Sequence, residues 1–394
     1  MTRDNKDLLV GLDIGTSKVV AIVAELHADG EIEVIGTGQH ESNGLKKGVV
    51  VDIEKTVASI QAALEEAEIT SGNKIQQVVT GIAGSHIRSF NSIGMVAIKD
   101  KEVTEADVAR VIETAKAVAI PTDQQILHVL PQEFIIDGQE DIREPVGMSG
   151  VRLDVKVHVV TGAVSAVQNI IKCVRRCGLA VQDLILQPLA SANAVLTHDE
   201  KELGVALVDI GGGTTDIAVV NDGGVEGTKM FGIGGRSFTR TIAADLDLSF
   251  KDAEKLKLNI DNENLKPSVK KKVDAAIDKT LEVWLSGVEL ALSDFDNVDY
   301  LPNRILLCGG GSSLQKITEA LKTRRWPEDL PFTKKPVVQY INPSDITGIV
   351  DETGDISDHT FVTAMGLLRV GYDTIIGSQD GNSLVEKVNR LLKI

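Results

Sequence analysis

The chain has 394 residues, 43% hydrophobic and 25% charged, with a formal net charge of −16, a length that suits about two to three domains around a large core. The acidic balance excludes nucleic acid as the main partner, because binding a phosphate backbone needs a cationic surface. No run of about eighteen apolar residues occurs, so no segment is long and apolar enough to cross a bilayer as a helix, and the polar start Met1-Thr2-Arg3-Asp4-Asn5-Lys6 lacks a signal-peptide apolar stretch.

The first element is an apolar strand from Leu9 that ends in Asp13-Ile14-Gly15, passes through Thr16, Ser17 and Lys18, and continues as a second strand to Val23. Residues 31–38 read as a third strand of the same sheet. Residues 52–68 form an amphipathic helix with Ile53, Val57, Ile60, Ala63, Leu64 and Ala67 at helical spacing. Another buried strand covers 74–81. Residues from about 85 to 160 read as an insertion, a small α+β domain. It has a strand at 94–98, a helix that Thr104 caps and Val108, Val111, Ile112 and Ala115 face inward, and longer strands at 125–136 and 151–160. A helix at 166–177 follows, with Gly178 as its stop. Cys173 and Cys177 sit four apart on it and lack the further ligands a metal would need. With Cys308 they make no disulfide framework, which fits a reducing cytoplasm. A strand at 183–186 leads to Gln187, which opens the next helix.

The run from Ala206 to Val220 repeats the opening motif. Two short apolar strands, 207–210 and 217–220, flank Gly211-Gly212-Gly213-Thr214-Thr215, with Asp209 matching Asp13 and Gly211 matching Gly15. Glycines let the backbone approach a phosphate, successive turn N–H groups form an anion nest, and a strand-end aspartate can hold a hydrated divalent cation beside it. Two such hairpins imply a duplicated fold closing on one nucleotide from both sides. A third glycine turn, Gly309-Gly310-Gly311-Ser312-Ser313, follows a strand at 304–308 and leads into a helix from Leu314. Between these motifs lie Gly234 and Gly235, a helix at 250–257 on which Glu254 and Lys257 share a face, a basic cluster of Lys266, Lys270, Lys271 and Lys272, and a helix at 274–294. A strand at 335–340 and a helix at 360–370, with Ala364, Leu367 and Leu368 buried, come next.

The chain ends with a polar linker, 377–381, and an amphipathic helix. Ser383 and Glu386 make a capping box, and Leu384, Val385, Val388, Leu391 and Leu392 form one apolar stripe opposite Lys387, Arg390 and Lys393. The pattern suits a helix lying in the interface of an anionic membrane, too short to span it. A helix packed on the core would show the same stripe.

The three glycine turns, in this order, resemble the actin-like ATPase superfamily. That resemblance implies an α/β, two-lobed, ribonuclease H-like duplicated fold that binds ATP with Mg²⁺. Asp13 and Asp209 would hold the cation through water. Gly15, Thr16, Ser17, Gly211, Gly212, Gly213, Thr214 and Thr215 would contact phosphates. Gly310, Gly311 and Ser312 would lie against adenosine, with Gly234, Gly235, Glu254 and Lys257 facing the nucleotide. Lys18 reads as a phosphate partner or a surface lysine. Gln187 reads as the catalytic group orienting the attacking water or as a polar strand-end residue. Hydrolysis is expected to be slow at most.

Segments outside these turns narrow the resemblance. Gly94-Met95-Val96-Ala97-Ile98, Val129-Leu130-Pro131-Gln132-Glu133-Phe134 and Pro145-Val146-Gly147-Met148-Ser149-Gly150-Val151-Arg152-Leu153 resemble the FtsA family of bacterial division proteins. This implies an inserted 1C domain at 85–160 and a first lobe, 1A, of 1–84 completed by 161–196 and 355–376. It also implies a second lobe at 197–354, with subdomain 2B at about 245–300, and a tail at 377–394 that binds anionic lipids. Expected partners are the FtsZ C-terminal peptide, further copies of the chain through 1C, and other divisome proteins. The expected location is the inner face of the cell membrane at the septum. A pilus-assembly relative of FtsA and a metabolic phosphotransferase are the alternatives. The first is not expected to carry its own membrane tail, and the second needs a base that no residue here supplies.

Overall fold

A computed structural model describes residues 8–27, 30–261, 265–295 and 298–379. Strand β1 (Leu8–Ile14) turns into β2 (Lys18–Leu26), which pairs with β3 (Ile32–Glu41). A short ribbon, β4 (Leu45–Lys46) and β5 (Val49–Val50), precedes helix α1 (Ile53–Ser71), whose first turn Asp52 caps by accepting from the Lys55 N–H. Strand β6 (Gln77–Ile82) then joins β1 in parallel.

The chain next leaves to build an independent layer. Strand β7 (Ile87–Ala97), helix α2 (Glu105–Lys116), and strands β8 (Gln124–Ile136), β9 (Gln139–Ile142) and β10 (Arg152–Ala163) form an antiparallel sheet ordered β7-β10-β8-β9, covered by α2. Thr104 and Asp107 close a capping box at the start of α2. The layer has a core of its own, built on Phe134, Leu153, Val111 and Val155.

Helix α3 (Val164–Arg176) and strand β11 (Ala180–Leu186) return to the first sheet, and α4 (Gln187–Val195) and α5 (His198–Leu203) lead out of it. The second lobe holds β12 (Val205–Ile210), β13 (Thr215–Asn221), β14 (Gly224–Phe231), α6 (Gly235–Leu246), α7 (Phe250–Leu258), α8 (Pro267–Ser293), β15 (Arg304–Cys308), α9 (Gln315–Thr323) and β16 (Val337–Tyr340). Strand β17 (Ile349–Asp351) and helix α10 (Val362–Gln379) finish in the first lobe.

The duplication is visible in strand order. One sheet runs β11-β6-β1-β2-β3-β17 and the other β14-β13-β12-β15-β16. In each, an antiparallel three-strand meander is extended by two strands parallel to its first. Every residue of β12 is buried, as expected of a strand covered on both faces. Helices α4 and α10 cross closely where a Cβ on Gly366 would lie 2.1 Å from the Ala190 carbonyl oxygen, so only glycine fits. The inserted sheet also touches the second lobe: Ser89 Oγ donates to the Thr228 carbonyl (2.6 Å) and Gln132 Nε2 to that of Glu226 (2.6 Å).

Several expectations need correcting. Helix α8 begins at Pro267, ahead of 274, because Pro267 sits in the first turn where its missing N–H costs nothing. Strand β17 pairs with β3, so residues 349–351, expected in the second lobe, belong to the first sheet. Helix α10 runs through Gln379, so Gly377, Ser378 and Gln379, expected as linker, are helical. The amphipathic stripe of Leu384, Val385, Val388, Leu391 and Leu392 lies outside the described residues. Cys173 and Cys308 are buried, Cys177 is half-buried, and none is disulfide-bonded.

Candidate functional site

The two matching hairpins meet tip to tip. In the first, the Gly15 N–H donates to the Lys18 carbonyl (3.0 Å), and in the second, Gly211 N–H donates to the Thr214 carbonyl (2.9 Å). The same backbone turn is thus made twice. The tips are in contact: a Cβ on Gly212 would lie 2.1 Å from Ser17 Oγ, and one on Gly213 would lie 2.8 Å from Thr16 Oγ1. From the second lobe, α6 starts directly against its loop, with Gly235 N–H donating to the Gly211 carbonyl (3.0 Å) and Arg236 N–H to that of Gly212 (2.8 Å). Its Arg236 side chain reaches across to the Thr16 carbonyl (3.4 Å).

A cleft runs between the lobes at this meeting point. Its deep end is lined by Asp13, Gly15, Thr16, Gln187, Asp209, Gly211, Gly213, Thr214 and Asp216, and its outer end by Gly235, Arg236, Glu254, Lys257, Gly311 and Leu314. Ser17, Lys18, Gly212, Gly310 and Thr360 line both ends, making the two one continuous site.

The deep end is acidic. Asp209 and Asp216 stand opposite each other in the β12–β13 register. Burial, with the charge of Asp209 added, pushes Asp13 up to about 7 and Asp216 to about 8. Lys18 opposes the first shift, and the Thr214 hydroxyl, donating to Asp216 Oδ2 (2.9 Å), opposes the second. Asp209 is also raised by burial, against hydrogen bonds from Thr363 (3.0 Å) and Cys308. Thr363 in turn bonds Ser191 (3.1 Å), so α4 and α10 both brace this carboxylate. Among the described residues no three carboxylate, histidine or cysteine side chains converge closely enough to enclose a metal ion. Asp13, Asp209 and Asp216 offer hard carboxylate oxygens, the donor type that could hold a hydrated divalent cation.

Gln187, the first residue of α4, donates from Nε2 to Asp13 Oδ1 (2.5 Å). Lys18 Nζ reaches the Thr360 hydroxyl (3.1 Å) over the Phe361 ring, and burial lowers its pKa against the pull of Asp13 and Asp358. At the outer end Lys257 is committed to the protein. It donates to the Gly235 carbonyl (3.1 Å) and Thr239 Oγ1 (3.0 Å) and pairs with Glu254 (2.9 Å).

Three expected site residues do not line this cleft. The Thr215 hydroxyl turns into the second-lobe core, donating to the Ile233 carbonyl and accepting from Trp284 Nε1. Ser312 is buried with its hydroxyl on the Gly309 carbonyl (2.7 Å). Gly234 packs behind the second loop, where a Cβ would lie 2.5 Å from the Gly211 carbonyl oxygen. Conversely, Asp216, Arg236, Thr360 and Thr363 belong to the site and were not read from the sequence. Asp216 follows directly on the glycine turn and was the readable signal. The two threonines approach from the far end of the chain with no local motif.

Two family models match the sequence: that of the SHS2 domain inserted in FTSA, over residues 84–161, and that of cell division protein FtsA, over 206–366. Cell division protein FtsA of Pseudomonas aeruginosa is 48% identical over 365 residues, covering 87% of this chain and 88% of the relative. Among solved structures, the PilM–PilN type IV pilus biogenesis complex aligns with TM-score 0.68 at 18% identity over 92% of this chain and 98% of that one. MreB5 of Spiroplasma citri bound to ADP aligns with TM-score 0.51 at 14% identity, over 95% and 99%. These two likenesses concern the fold, which is the actin-like ATPase fold with an SHS2 insertion.

Proposed function

The chain belongs to the FtsA family of cell division proteins, actin-like components of the divisome, and from that membership we propose that it binds ATP with Mg²⁺ between its lobes, assembles on the membrane and holds FtsZ there. The observation that carries the nucleotide reading is the pair of turns closed by the same backbone bond, each following a strand-end aspartate, half-buried Asp13 and buried Asp209, and touching at their tips.

In this reading the loop N–H groups of both hairpins cradle the phosphates, and the Lys18 ammonium adds charge to them. Asp13 and Asp209, with Asp216 behind them, hold the hydrated cation. Bound Mg²⁺ would neutralise charge on the phosphate oxygens. Gln187 orients the attacking water by exchanging its bond to Asp13 for one to that water. Gly310, Gly311 and the Glu254–Lys257 pair shape the nucleoside end. Positioning carries phosphoryl transfer and Gln187 is the candidate positioner, which is why hydrolysis is expected to be slow.

Assembly is assigned to the inserted domain, whose core is its own and whose edge strand β7 exposes Ile93 and Met95. FtsZ docking is assigned to the start of α8, where Lys266, Lys271 and Lys272 are exposed in an acidic protein and suit a peptide carrying acidic residues. Membrane attachment is assigned to the stripe of Leu384, Val385, Val388, Leu391 and Leu392. One such helix binds weakly, but a filament carrying many binds firmly, because each later contact is intramolecular. Vesicle co-sedimentation tests the combined reading. ATP with Mg²⁺ should increase pelleting with anionic vesicles, and replacing Leu391 and Leu392 with Asp should remove it. Equal pelleting of that variant would refute the tether.

A further inference from the structure

We propose that His128, on β8 of the inserted domain, is a positioning residue for Gln187, holding the peptide from which that side chain projects toward Asp13. The inference rests on the reading of Gln187 as the group that orients water. His128 is buried, and its Nε2 accepts the Leu186 N–H at 3.0 Å. Leu186 ends β11 and precedes α4 as its capping residue, and no side chain caps this helix start. The contact from His128 is therefore the polar hold on the turn where strand becomes helix. Gln187 follows immediately. It is confined on one side by Gly81, where a Cβ would lie 2.9 Å from Gln187 Cγ, and on the other by its bond to Asp13 (2.5 Å). A shift of the Leu186 peptide has no slack to disappear into and must move the carboxamide.

The role requires a neutral ring whose Nε2 lone pair is free to accept, with the proton on Nδ1. Burial supplies this by pushing the His128 pKa down to about 4, against a smaller opposing pull from Asp183. The inserted sheet that carries His128 is also bonded to the second lobe through His158, whose Nε2 accepts the Thr228 N–H (3.0 Å). One sheet thus touches β14 of the second lobe and the root of Gln187 in the first. A contact made by the inserted domain has a short, rigid path to the reacting end of the cleft.

His128 is not among the residues that line the cleft, so it should govern the hydrolytic step and leave nucleotide binding alone. The test is single-turnover ATP hydrolysis by the full chain, normalised to bound nucleotide, with affinity measured separately by a fluorescent ATP analogue. His128→Phe, which keeps an aromatic ring and loses the acceptor, should slow hydrolysis on the order of 10- to 100-fold, as misplacement of a positioned group by about 1 Å does, with affinity within about twofold. His128→Gln, whose carbonyl can accept the same N–H, should recover most of the rate. His128→Asn, too short to reach, should behave like His128→Phe and serves if the latter does not fold. Parent-like hydrolysis in either His128→Phe or His128→Asn overturns the inference, as does a rate and affinity that fall together. Gln187→Ala separates the two readings. If it hydrolyses like the parent, the reading of Gln187 fails; if it is slow while the His128 variants are normal, only the role of His128 fails. A parent that hydrolyses no ATP overturns both.

Discussion

The two hairpin loops share a backbone and differ in charge. Each closes with the same N–H to carbonyl bond, Gly15 to Lys18 and Gly211 to Thr214. Opposite Asp13 in the first ladder stands Val20, whereas opposite Asp209 in the second stands Asp216. The first loop carries a lysine and two hydroxyls; the second carries three glycines and a second acid. Duplication supplied the geometry twice, and the two copies then divided the chemistry. The first lobe brings the ammonium of Lys18, and the second brings the closest backbone approach and the extra carboxylate, which in the proposed reading serve the phosphates and the metal side.

Breaking the second loop should have the largest effect. Gly234→Ala would set a Cβ 2.5 Å from the Gly211 carbonyl oxygen, which is backbone and cannot rotate aside. We expect ATP affinity to fall on the order of 100-fold, the size of losing two or so charge-assisted bonds, read by titration with a fluorescent analogue. The corresponding charge change in the first loop, Lys18→Met, should weaken ATP by roughly tenfold, the value of one such bond. It should also drive Asp13 further upward, because Lys18 is what holds that carboxyl down.

Asp216→Asn tests the division of acids. With a native pKa of about 8 against an ordinary 3.8, the folded protein holds a proton that the unfolded chain has lost. Stability without metal is therefore full below about pH 4 and declines as pH rises toward 8, since the folded state binds more protons in that window. An uncharged amide in place of this carboxyl should flatten part of that decline, by a few kcal/mol at most as an order of magnitude, and should weaken the stabilisation that Mg²⁺ and ATP confer. Thermal melts at pH 5 and pH 8, with and without ligand, read both effects. A pH profile identical to the parent would show that Asp216 is not the buried acid described here.

The smallest effect belongs to Thr215→Val. Its hydroxyl serves Trp284 and Ile233, and lies outside the cleft. Losing it should cost about 1–3 kcal/mol of stability, the penalty for stranding a buried donor, with ATP affinity unchanged. An affinity loss would return Thr215 to the site.

Much of this was legible because the site is built from local sequence. Asp13 through Lys18 and Asp209 through Thr214 each specify a strand end and a tight turn within six residues. What escaped was long-range. Thr363 reaches Asp209 across 154 positions, and His128 reaches Leu186 from a different sheet. Hydrophobic periodicity and turn chemistry carry no information about such pairs. Thr215 misled for the converse reason. Alternation along a strand sends it to the opposite face from Thr214 and Asp216, so adjacency to a motif did not place it in the site. The glycines and polar residues of 377–381 read as a linker, yet α10 carries on through Gln379, its packing on β1 and α4 outweighing the weak propensity of its last residues.

The most direct measurement is calorimetric titration of the full chain with ATP in the presence of Mg²⁺, set against a variant carrying Asp209→Ala and Gly212→Asp. The two-loop account predicts one ATP bound per chain in the parent, dependent on Mg²⁺, and no measurable heat of binding in a variant that still melts cooperatively. Unchanged affinity in the variant would contradict the account, because a nucleotide that ignores both the strand-end carboxylate and the loop tip is not held between the paired turns.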